Sequence, residues 1–322
     1  MKAAIVPGPG APAYYGEFDD PVAAGGRELV DLVAAGIHPL ARSLAAGRHY
    51  GSTGHWPLIP GTDAVARAAD GALIFTGFVE APYGTLAERM AVPGKLRMEL
   101  PHGSDPVSIA GGLNPGMASW MPLTARAAEL GSLGAVLVLG VTGMAGLLAA
   151  QNAALLGTTR VIGAGRSPAG LERAAAAGAA TVALTGDAGQ DAVALAAALD
   201  GQAPGIVLDF LWASAAEAAF AALGRRGLSE DTADISYVQI GAMAGAEAAV
   251  PAQLLRSRRI RIAGSGAGSA SMAGIIAQLP RYMELIATGK VRVPTQVFPL
   301  SEVTSAWAAA ERGGPRAVVV PG

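Results

Sequence analysis

The chain has 322 residues, a formal net charge of −2 and no cysteine. The lack of cysteine excludes disulfides, iron–sulfur clusters, thiolate zinc sites and a cysteine nucleophile. Because 23 basic and 25 acidic residues are mixed along the chain, we expect a small-molecule partner, with no nucleic acid and no membrane. The apolar content is mostly Ala, Val, Leu and Gly, which predicts a large buried core of the α/β class.

The first 115 or so residues predict short strands between Pro/Gly turns. Extended segments are expected at residues 2–6, 71–78 and 89–92, separated by turns such as PGPGAP and VPGK. Strands of this length and spacing are typical of a compact, barrel-like β domain. The N-terminus has only a five-residue apolar stretch, too short for a signal-peptide core, so we expect a cytoplasmic protein.

An uncharged run covers residues 131–159 and contains the segment VLGVTGMAG. The run is long enough to span a membrane. However, Gly140, Gly143 and Gly146 interrupt it where a helix would need continuous propensity. Gln151 and Asn152 would also face lipid without a partner. We therefore predict a buried strand at residues 135–139, a glycine turn, and a helix at residues 144–156.

This glycine turn predicts a phosphate-binding site. In such a strand–turn–helix unit, the first glycine permits a tight turn and the second lets the backbone approach a pyrophosphate. The third allows the helix to pack closely on the strand, and the helix start supplies unpaired N–H groups for the anion. The predicted cofactor-binding residues here are Gly140, Thr142, Gly143, Met144, Ala145 and Gly146.

The alternation of strands and helices continues beyond this unit. Strands are predicted at residues 160–164, 181–184, 205–210, 236–240 and 259–263, and helices at residues 168–177, 191–199 and 213–223. Right-handed βαβ crossovers of this kind form a doubly wound parallel sheet of the nucleotide-binding type.

The second predicted strand indicates which cofactor binds. Enzymes that prefer NAD usually carry an acidic residue at its end, whereas this strand continues into Arg166 and Ser167. An arginine suits a 2′-phosphate, so we predict NADPH. Ser167 and Pro168 also predict a helix N-cap and first turn. Gly241, after the fifth strand, is predicted to let the backbone approach the nicotinamide.

The last part of the chain predicts a helix at residues 272–288 and two strands, in VRVPTQVFPL and RAVVVPG. The simplest arrangement returns these strands to the first domain. We therefore predict a first domain at residues 1–116, a dinucleotide-binding domain at 117–266, and a return to the first domain at 267–322.

Several segments carry a family resemblance when taken together in this order: PLIPGTDAVARA, GGLNPGMASWMPL, VLGVTGMAG, VQIGAMAG and the closing FPLSEVTSAWAAAERGGPRAVVVPG. They resemble zinc-free members of the medium-chain dehydrogenase/reductase superfamily, similar to NADPH-dependent quinone oxidoreductases. The resemblance implies a GroES-like β-barrel catalytic domain, formed by both chain ends, beside a Rossmann domain. It also implies an active site in the cleft between them and a homodimer joined along the Rossmann sheet edge, near residues 259–263.

The chain departs from the zinc-dependent relatives of this superfamily. His38 stands where their first cysteine ligand is expected, and Thr62-Asp63 stands near the place of their His–Glu pair. We predict no metal. The alternative is an NADP-linked alcohol dehydrogenase with an unusual metal site, which His38, His49 and Asp63 would form.

Without a metal, hydride transfer to an activated carbonyl needs alignment and a nearby hydrogen-bond donor. We predict Tyr50 as the first candidate proton donor and His38 as the second, with Asn114 orienting nicotinamide or substrate. The resemblance adds a cofactor contact by Ser119. Asp209 is predicted to make local hydrogen bonds at a strand end, and no GxSxG motif supports hydrolase chemistry.

The sequence thus predicts a zinc-independent, NADPH-dependent oxidoreductase that transfers hydride to quinones or α,β-unsaturated carbonyls. A different class of function stays open: an NADPH-binding redox sensor or structural protein without turnover. That alternative keeps the glycine turn and Arg166 but does not need Tyr50 or His38.

Overall fold

The computed structural model describes residues 1–225, 234–266, 268–269 and 271–322. The chain forms two compact units: unit 1 contains Met1–Pro115 and Leu279–Gly322, and unit 2 contains Gly116–Gln278. The chain therefore returns to unit 1 at Leu279, within the helix Met272–Ala287. The predicted start of the third segment, at residue 267, lies outside the described residues.

The strands and helices have the following bounds. The strands are β1 Lys2–Ile5, β2 Tyr14–Glu17, β3 Arg27–Gly36, β4 Asp63–Arg67, β5 Leu73–Gly77, β6 Arg89–Pro93, β7 Met98–Glu99, β8 Ala135–Leu139, β9 Arg160–Gly165, β10 Ala180–Ala183, β11 Ile206–Asp209, β12 Ile235–Gln239, β13 Ile260–Gly264, β14 Thr295–Pro299 and β15 Arg316–Val320. The α-helices are α1 Pro39–Ala45, α2 Pro106–Leu130, α3 Met144–Leu155, α4 Pro168–Ala176, α5 Ala188–Leu199, α6 Ala213–Leu223, α7 Ala252–Ser257, α8 Met272–Ala287 and α9 Val303–Arg312. Short 3₁₀ helices lie at Gly94–Leu96 and Leu300–Glu302.

Unit 1 is built on a sheet that is mostly antiparallel. Its strand order is β14-β15-β3-β4-β5-β7, with β6 also paired to β3 and with β14 and β15 parallel. The C-terminal strands β14 and β15 therefore join the sheet of β3, β4, β5 and β7, whereas β1 and β2 pair separately. The long strand β3 is not predicted, because apolar Leu29 and Val33 on its outer face obscure the alternation of buried Val30 and Leu32 with exposed Asp31.

Unit 2 contains a six-stranded sheet in the order β10-β9-β8-β11-β12-β13, and every neighbouring pair is parallel. The predicted doubly wound fold is confirmed. Alternate residues of β8 face opposite layers: Leu137 and Leu139 join a core with α5 and α6, whereas Val136 and Val138 join a core with α3. Both faces are covered, which explains the uninterrupted apolar run of this strand.

Helix α2 is longer than any helix that the sequence predicts. Its segment GGLNPG contains three glycines and a proline, which are poor helix formers. Tertiary packing explains the glycines, because a Cβ on Gly112 would lie 2.4 Å from Cγ2 of Val293. In the part of the chain that the structure describes, no helix combines the length and apolarity needed to cross a membrane.

Candidate functional site

The predicted glycine turn of unit 2 follows β8 directly. Gly140 has φ +93°, a left-handed conformation that side chains rarely adopt, so glycine is required there. The backbone N–H groups of Gly140 and Val141 both donate to the carbonyl of Ala164, at 2.8 and 3.0 Å. These bonds join the turn to the end of β9, the neighbouring strand.

Gly143 and Gly146 have different roles in this turn. A Cβ on Gly146 would lie 2.2 Å from the carbonyl oxygen of Gly140, so only glycine lets α3 pack on the turn. Gly143 is the N-cap of α3 with an ordinary φ of −85°, and a Cβ there would meet only that same oxygen, at 3.6 Å. Neither backbone conformation nor packing within the chain requires glycine at position 143. The open space above it suits a ligand that approaches the helix start.

A second set of glycines brings the β9–α4 connection against this turn. A Cβ on Gly165 or Gly170 would lie 2.5 Å from the side chain of Thr142. Likewise, a Cβ on Gly163 would lie 2.8 Å from Val141. The side chains of the turn thus fill spaces that glycines on β9 and α4 leave open. The sequence did not lead us to predict a role for Gly163, Gly165 and Gly170. Glycines repeated along a strand and at a helix start were the available signal.

Arg166 and Ser167 lie between β9 and α4, and both are exposed. The Ser167 hydroxyl oxygen caps α4 by accepting from the N–H of Gly170 at 3.3 Å, as the sequence predicts, and its own proton is left to donate to a ligand. Among the described residues, no carboxylate lies within ion-pair distance of Arg166. A cation beside a helix N-terminus opposes the helix dipole, so an anion bound at this point would relieve the repulsion.

The end of β11 is organised by Asp209, which is fully buried. Its Oδ1 accepts from the N–H groups of Leu211 and Trp212 at 2.8 and 2.9 Å, and its Oδ2 accepts from the Tyr237 hydroxyl at 2.6 Å. Burial raises the pKa of Asp209, although these hydrogen bonds counteract it. These are the local hydrogen bonds that the sequence predicts.

Gly241 follows β12 and packs against the backbone of Phe210. A Cβ there would lie 2.8 Å from the Phe210 carbonyl oxygen, so internal packing alone requires glycine. Its approach to a nicotinamide stays a prediction.

Ser119 is also fully buried, on α2. Its hydroxyl donates to the carbonyl of Gly116 at 3.1 Å and accepts from Nδ2 of Asn152 at 2.9 Å. The Asn152 amide also donates to Gly116, at 3.1 Å. This network joins α2 to α3. The predicted cofactor contact of Ser119 stays a prediction, and the structure gives this hydroxyl an internal partner instead.

In unit 1, a buried polar cluster surrounds His38, which lies between β3 and α1. His38 is 2% exposed and Asp63, at the start of β4, is 5% exposed. Nε2 of His38 lies 3.3 Å from Oδ2 of Asp63. Oδ1 of Asp63 accepts from the Thr62 hydroxyl at 2.5 Å and from Nδ2 of Asn114 at 3.0 Å. Two predicted site residues, His38 and Asn114, are therefore brought together by Asp63.

The groups around Asp63 favour its charged form. Burial by itself would raise the pKa of Asp63, but His38, together with hydrogen bonds from Thr62 and Asn114, holds its pKa below the usual 3.8. The buried Arg316 donates from NH1 to the carbonyl of Ile37 at 2.8 Å. Burial lowers the pKa of Arg316 to about 10, although Asp63 acts in the opposite direction.

Tyr50 lies on a loop and is 78% exposed, with its ring 4.0 Å from the ring of His49. Nδ1 of His49 accepts from the N–H of Gly51 at 3.0 Å. Tyr50 stays a predicted proton donor without further support. Within the described ranges, no group of three or more His, Cys, Asp or Glu residues could hold a metal ion, so His38, His49 and Asp63 do not assemble as one.

The arrangement of His38 goes beyond the sequence reasoning, which treated Asp63 only as an alternative metal ligand and did not consider Arg316. An arginine in the otherwise apolar strand RAVVV was the available signal. A charged residue in such a strand is buried at a cost unless it has a partner.

Comparison with known proteins shows that the chain is similar to quinone reductases. No family model matches it. The chain is 29% identical over 373 aligned positions to a probable NADPH-dependent quinone reductase of Emericella nidulans, with all of both chains covered. It also resembles the solved structure of a mycobacterial quinone oxidoreductase, with a TM-score of 0.80, 19% identity and all of both chains covered.

A quinone oxidoreductase from Thermus thermophilus, solved alone and with NADPH, is similar with a TM-score of 0.77 and 24% identity over 99% of this chain and 100% of that one. These structures share the combination of a parallel Rossmann sheet and a separate sheet rich in antiparallel strands. The chain therefore shares the fold of these quinone oxidoreductases, with a parallel Rossmann-type sheet in one unit and a mostly antiparallel sheet in the other, and it resembles a probable NADPH-dependent quinone reductase along its whole length.

Proposed function

We propose that this protein is an NADPH-dependent oxidoreductase that reduces quinones without a metal ion. The observation that carries the proposal is Gly143, a glycine that neither its φ of −85° nor the packing of the chain requires. A glycine kept free of neighbours at a helix start is what close approach of a pyrophosphate needs. The full-length similarity to a probable NADPH-dependent quinone reductase supports the same activity.

Residues of unit 2 would hold the two phosphate-bearing parts of the cofactor. The first N–H groups of α3 have no partner within the helix, and with the helix dipole they would hold the pyrophosphate. Arg166 and the Ser167 hydroxyl would hold the 2′-phosphate that distinguishes NADPH from NADH. Thr142 supports this arrangement indirectly, because it fills the space left by Gly165 and Gly170.

Bound NADPH supplies a hydride from C4 of its nicotinamide. A quinone accepts this hydride readily because the negative charge spreads onto its oxygen atoms, so the protein has to align the reactants and stabilise the oxygen anion. We propose α,β-unsaturated carbonyls as a second acceptor class, since they delocalise charge onto oxygen in the same way. Of the predicted donors, His38 has the better support, because a buried carboxylate lies beside its ring.

Turnover is tested by mixing the purified protein with NADPH and a panel of quinones and enones while the absorbance of the reduced nicotinamide is followed. We expect loss of NADPH that depends on both protein and acceptor, and much slower loss with NADH. Mixtures lacking protein or lacking acceptor are the controls. Tight NADPH binding without oxidation by any acceptor would favour the redox sensor or structural protein instead.

We also propose a cytoplasmic homodimer joined along β13. This strand lies at one edge of the parallel sheet, and its Arg261 is 61% exposed. Unpaired edge strands are natural sites of pairing between copies of a chain. Light scattering during size-exclusion chromatography should give twice the chain mass, and the mass of one chain would contradict the proposal.

A further inference from the structure

We propose that Asp63 is a positioning residue that orients His38 as the proton donor of the reduction. This inference rests on the proposed function for the reaction that uses the proton. Its structural part, the orientation of His38 by Asp63, can be measured without any turnover.

The first observation is that His38 is buried without satisfied ring nitrogens. Neither Nδ1 nor Nε2 has a hydrogen-bond partner among the described residues. The ring lies over Gly36, where a Cβ would come within 2.8 Å of Cε1 and Nε2, so the site is shaped to hold an imidazole. Buried polar atoms are almost always paired in folded proteins, and an unpaired one calls for a ligand or a functional role.

The second observation is that Asp63 has one oxygen available for His38. Its Oδ1 is occupied by the Thr62 hydroxyl and the Asn114 amide, whereas Oδ2 is buried, unpaired and 3.3 Å from Nε2 of His38. This distance allows a hydrogen bond once the ring turns slightly into line. A carboxylate can only accept, so the Nε2 that bonds to it must carry a proton.

The remaining charged groups around His38 do not compete for this role. Arg316 is directed to the carbonyl of Ile37, the residue before His38, and Arg42 is bonded to Ala310 and Glu311. Asp63 is therefore the carboxylate that faces the imidazole. With Nε2 held by Asp63, Nδ1, which is equally buried and unpaired among the described residues, is the ring atom left to donate to a substrate oxygen.

The reaction then balances in atoms and charge. A hydride adds to the quinone and gives the hydroquinone monoanion, and the imidazolium of His38 supplies the proton. The Nδ1–H bond of His38 breaks as an O–H bond forms on the oxygen anion, and solvent returns a proton to Nδ1. Asp63 stabilises the imidazolium and fixes its orientation, as carboxylates do beside catalytic histidines.

A double-mutant cycle tests whether Asp63 acts through His38. We expect His38→Ala to lower kcat about 100-fold, the usual size of a general-acid contribution. Asp63→Asn should lower kcat by about tenfold or more with a smaller change in the KM for NADPH. In a chain that already carries His38→Ala, Asp63→Asn should change kcat less than about twofold, because the residue it orients is gone.

Two outcomes would overturn the inference: an equal effect of Asp63→Asn with and without His38, or full activity of the His38→Ala variant. His102→Ala, which removes an exposed histidine of the same unit, is the matched control and should keep wild-type kcat. If His38→Ala fails to fold in a thermal melt, His38→Gln replaces it in the same cycle, because it retains a polar side chain of similar size.

The tautomer of His38 provides the readout that is independent of turnover. In Asp63→Asn, Thr62 and Asn114 both require an acceptor, so the amide oxygen stays with them and the amide NH₂ faces Nε2 of His38. Nε2 must then accept, and the proton of the neutral ring moves to Nδ1. Nitrogen-15 NMR of the four histidines should show a protonated Nε2 in the wild type and an unprotonated Nε2 in the variant. The same Nε2 state in both proteins would overturn the positioning role, whereas a changed state in a protein that reduces no quinone would refute only the proposed function.

Discussion

Replacing Gly143 and Gly146 separately by alanine should separate cofactor binding from folding. A Cβ at position 143 meets nothing nearer than an oxygen at 3.6 Å, and the backbone there has an ordinary φ. A Cβ at position 146 falls 2.2 Å from the Gly140 carbonyl oxygen and 2.7 Å from Cα of Val141, all of which are backbone atoms. A Cβ atom does not approach another heavy atom within 3.0 Å in folded proteins, so the turn or the helix must move.

The magnitudes follow from these distances. Overpacking of this kind costs about 1–3 kcal/mol, which in a unit of the size of unit 2 lowers the melting temperature by roughly 2–12 °C. Gly146→Ala should therefore melt earlier. Gly143→Ala should melt like the wild type but bind NADPH about 10–150-fold more weakly, because its methyl group displaces a phosphate from a hydrogen bond worth about 1.5–3 kcal/mol.

The assay pairs a thermal melt without cofactor with a titration of NADPH followed by its fluorescence. Each variant is the control for the other, since both add one methyl group to the same turn. Wild-type affinity in Gly143→Ala would refute the assignment of this turn to the pyrophosphate. An unchanged melting temperature in Gly146→Ala would refute the packing argument for the third glycine.

Four further variants test the neighbouring assignments. Arg166→Ala should weaken NADPH binding about 10–150-fold and leave NADH binding unchanged, and an equal loss for both would show that the arginine does not read the 2′-phosphate. Because the pKa of Asp63 lies below its usual 3.8, its carboxylate stabilises the fold above that pH, and the stability is lost as the pH falls through the lowered pKa. Asp63→Asn should therefore flatten the dependence of melting temperature on pH below about 4, and an unchanged acid limb would contradict this. Asn152→Ala should cost about 1–3 kcal/mol of unfolding free energy, since it removes two buried hydrogen bonds, to Gly116 and Ser119, while Ser119→Ala should retain NADPH affinity; weaker binding by the serine variant would support the cofactor contact that the family resemblance implies.

Much of unit 2 was predictable because its signals are local. The strand at Ala135–Leu139 and the helix at Ala213–Leu223 have the bounds that the sequence predicts, and Ser167 caps its helix as expected. Fully buried parallel strands appear as apolar runs, and glycines close the helices between them. A pattern of this kind depends on neighbours in the sequence, so reading the sequence recovers it.

Unit 1 was less predictable, because its strands and sites depend on distant residues. Strand β3 carries apolar residues on its outer face that mask its alternation, and α2 contains a glycine, Gly112, that the packing of Val293 explains. Neither feature has a local signal. In unit 2, the surroundings of Ser119 also depend on a distant residue, because its buried partner Asn152 lies 33 residues away.

The sequence by itself determined the doubly wound fold, the glycine turn and the choice of Arg166 as the residue for the 2′-phosphate, because each depends on residue types at short spacing. Only the tertiary structure decided what surrounds His38. Asp63 reaches it from β4, and Asn114, on α2, donates to Asp63; the hydrogen bonds of Asp63 leave one carboxylate oxygen for the imidazole. Hydrogen bonds depend on distance and direction in space, so this relation between His38 and Asp63 is set by the fold of unit 1 and has no counterpart in the order of the residues.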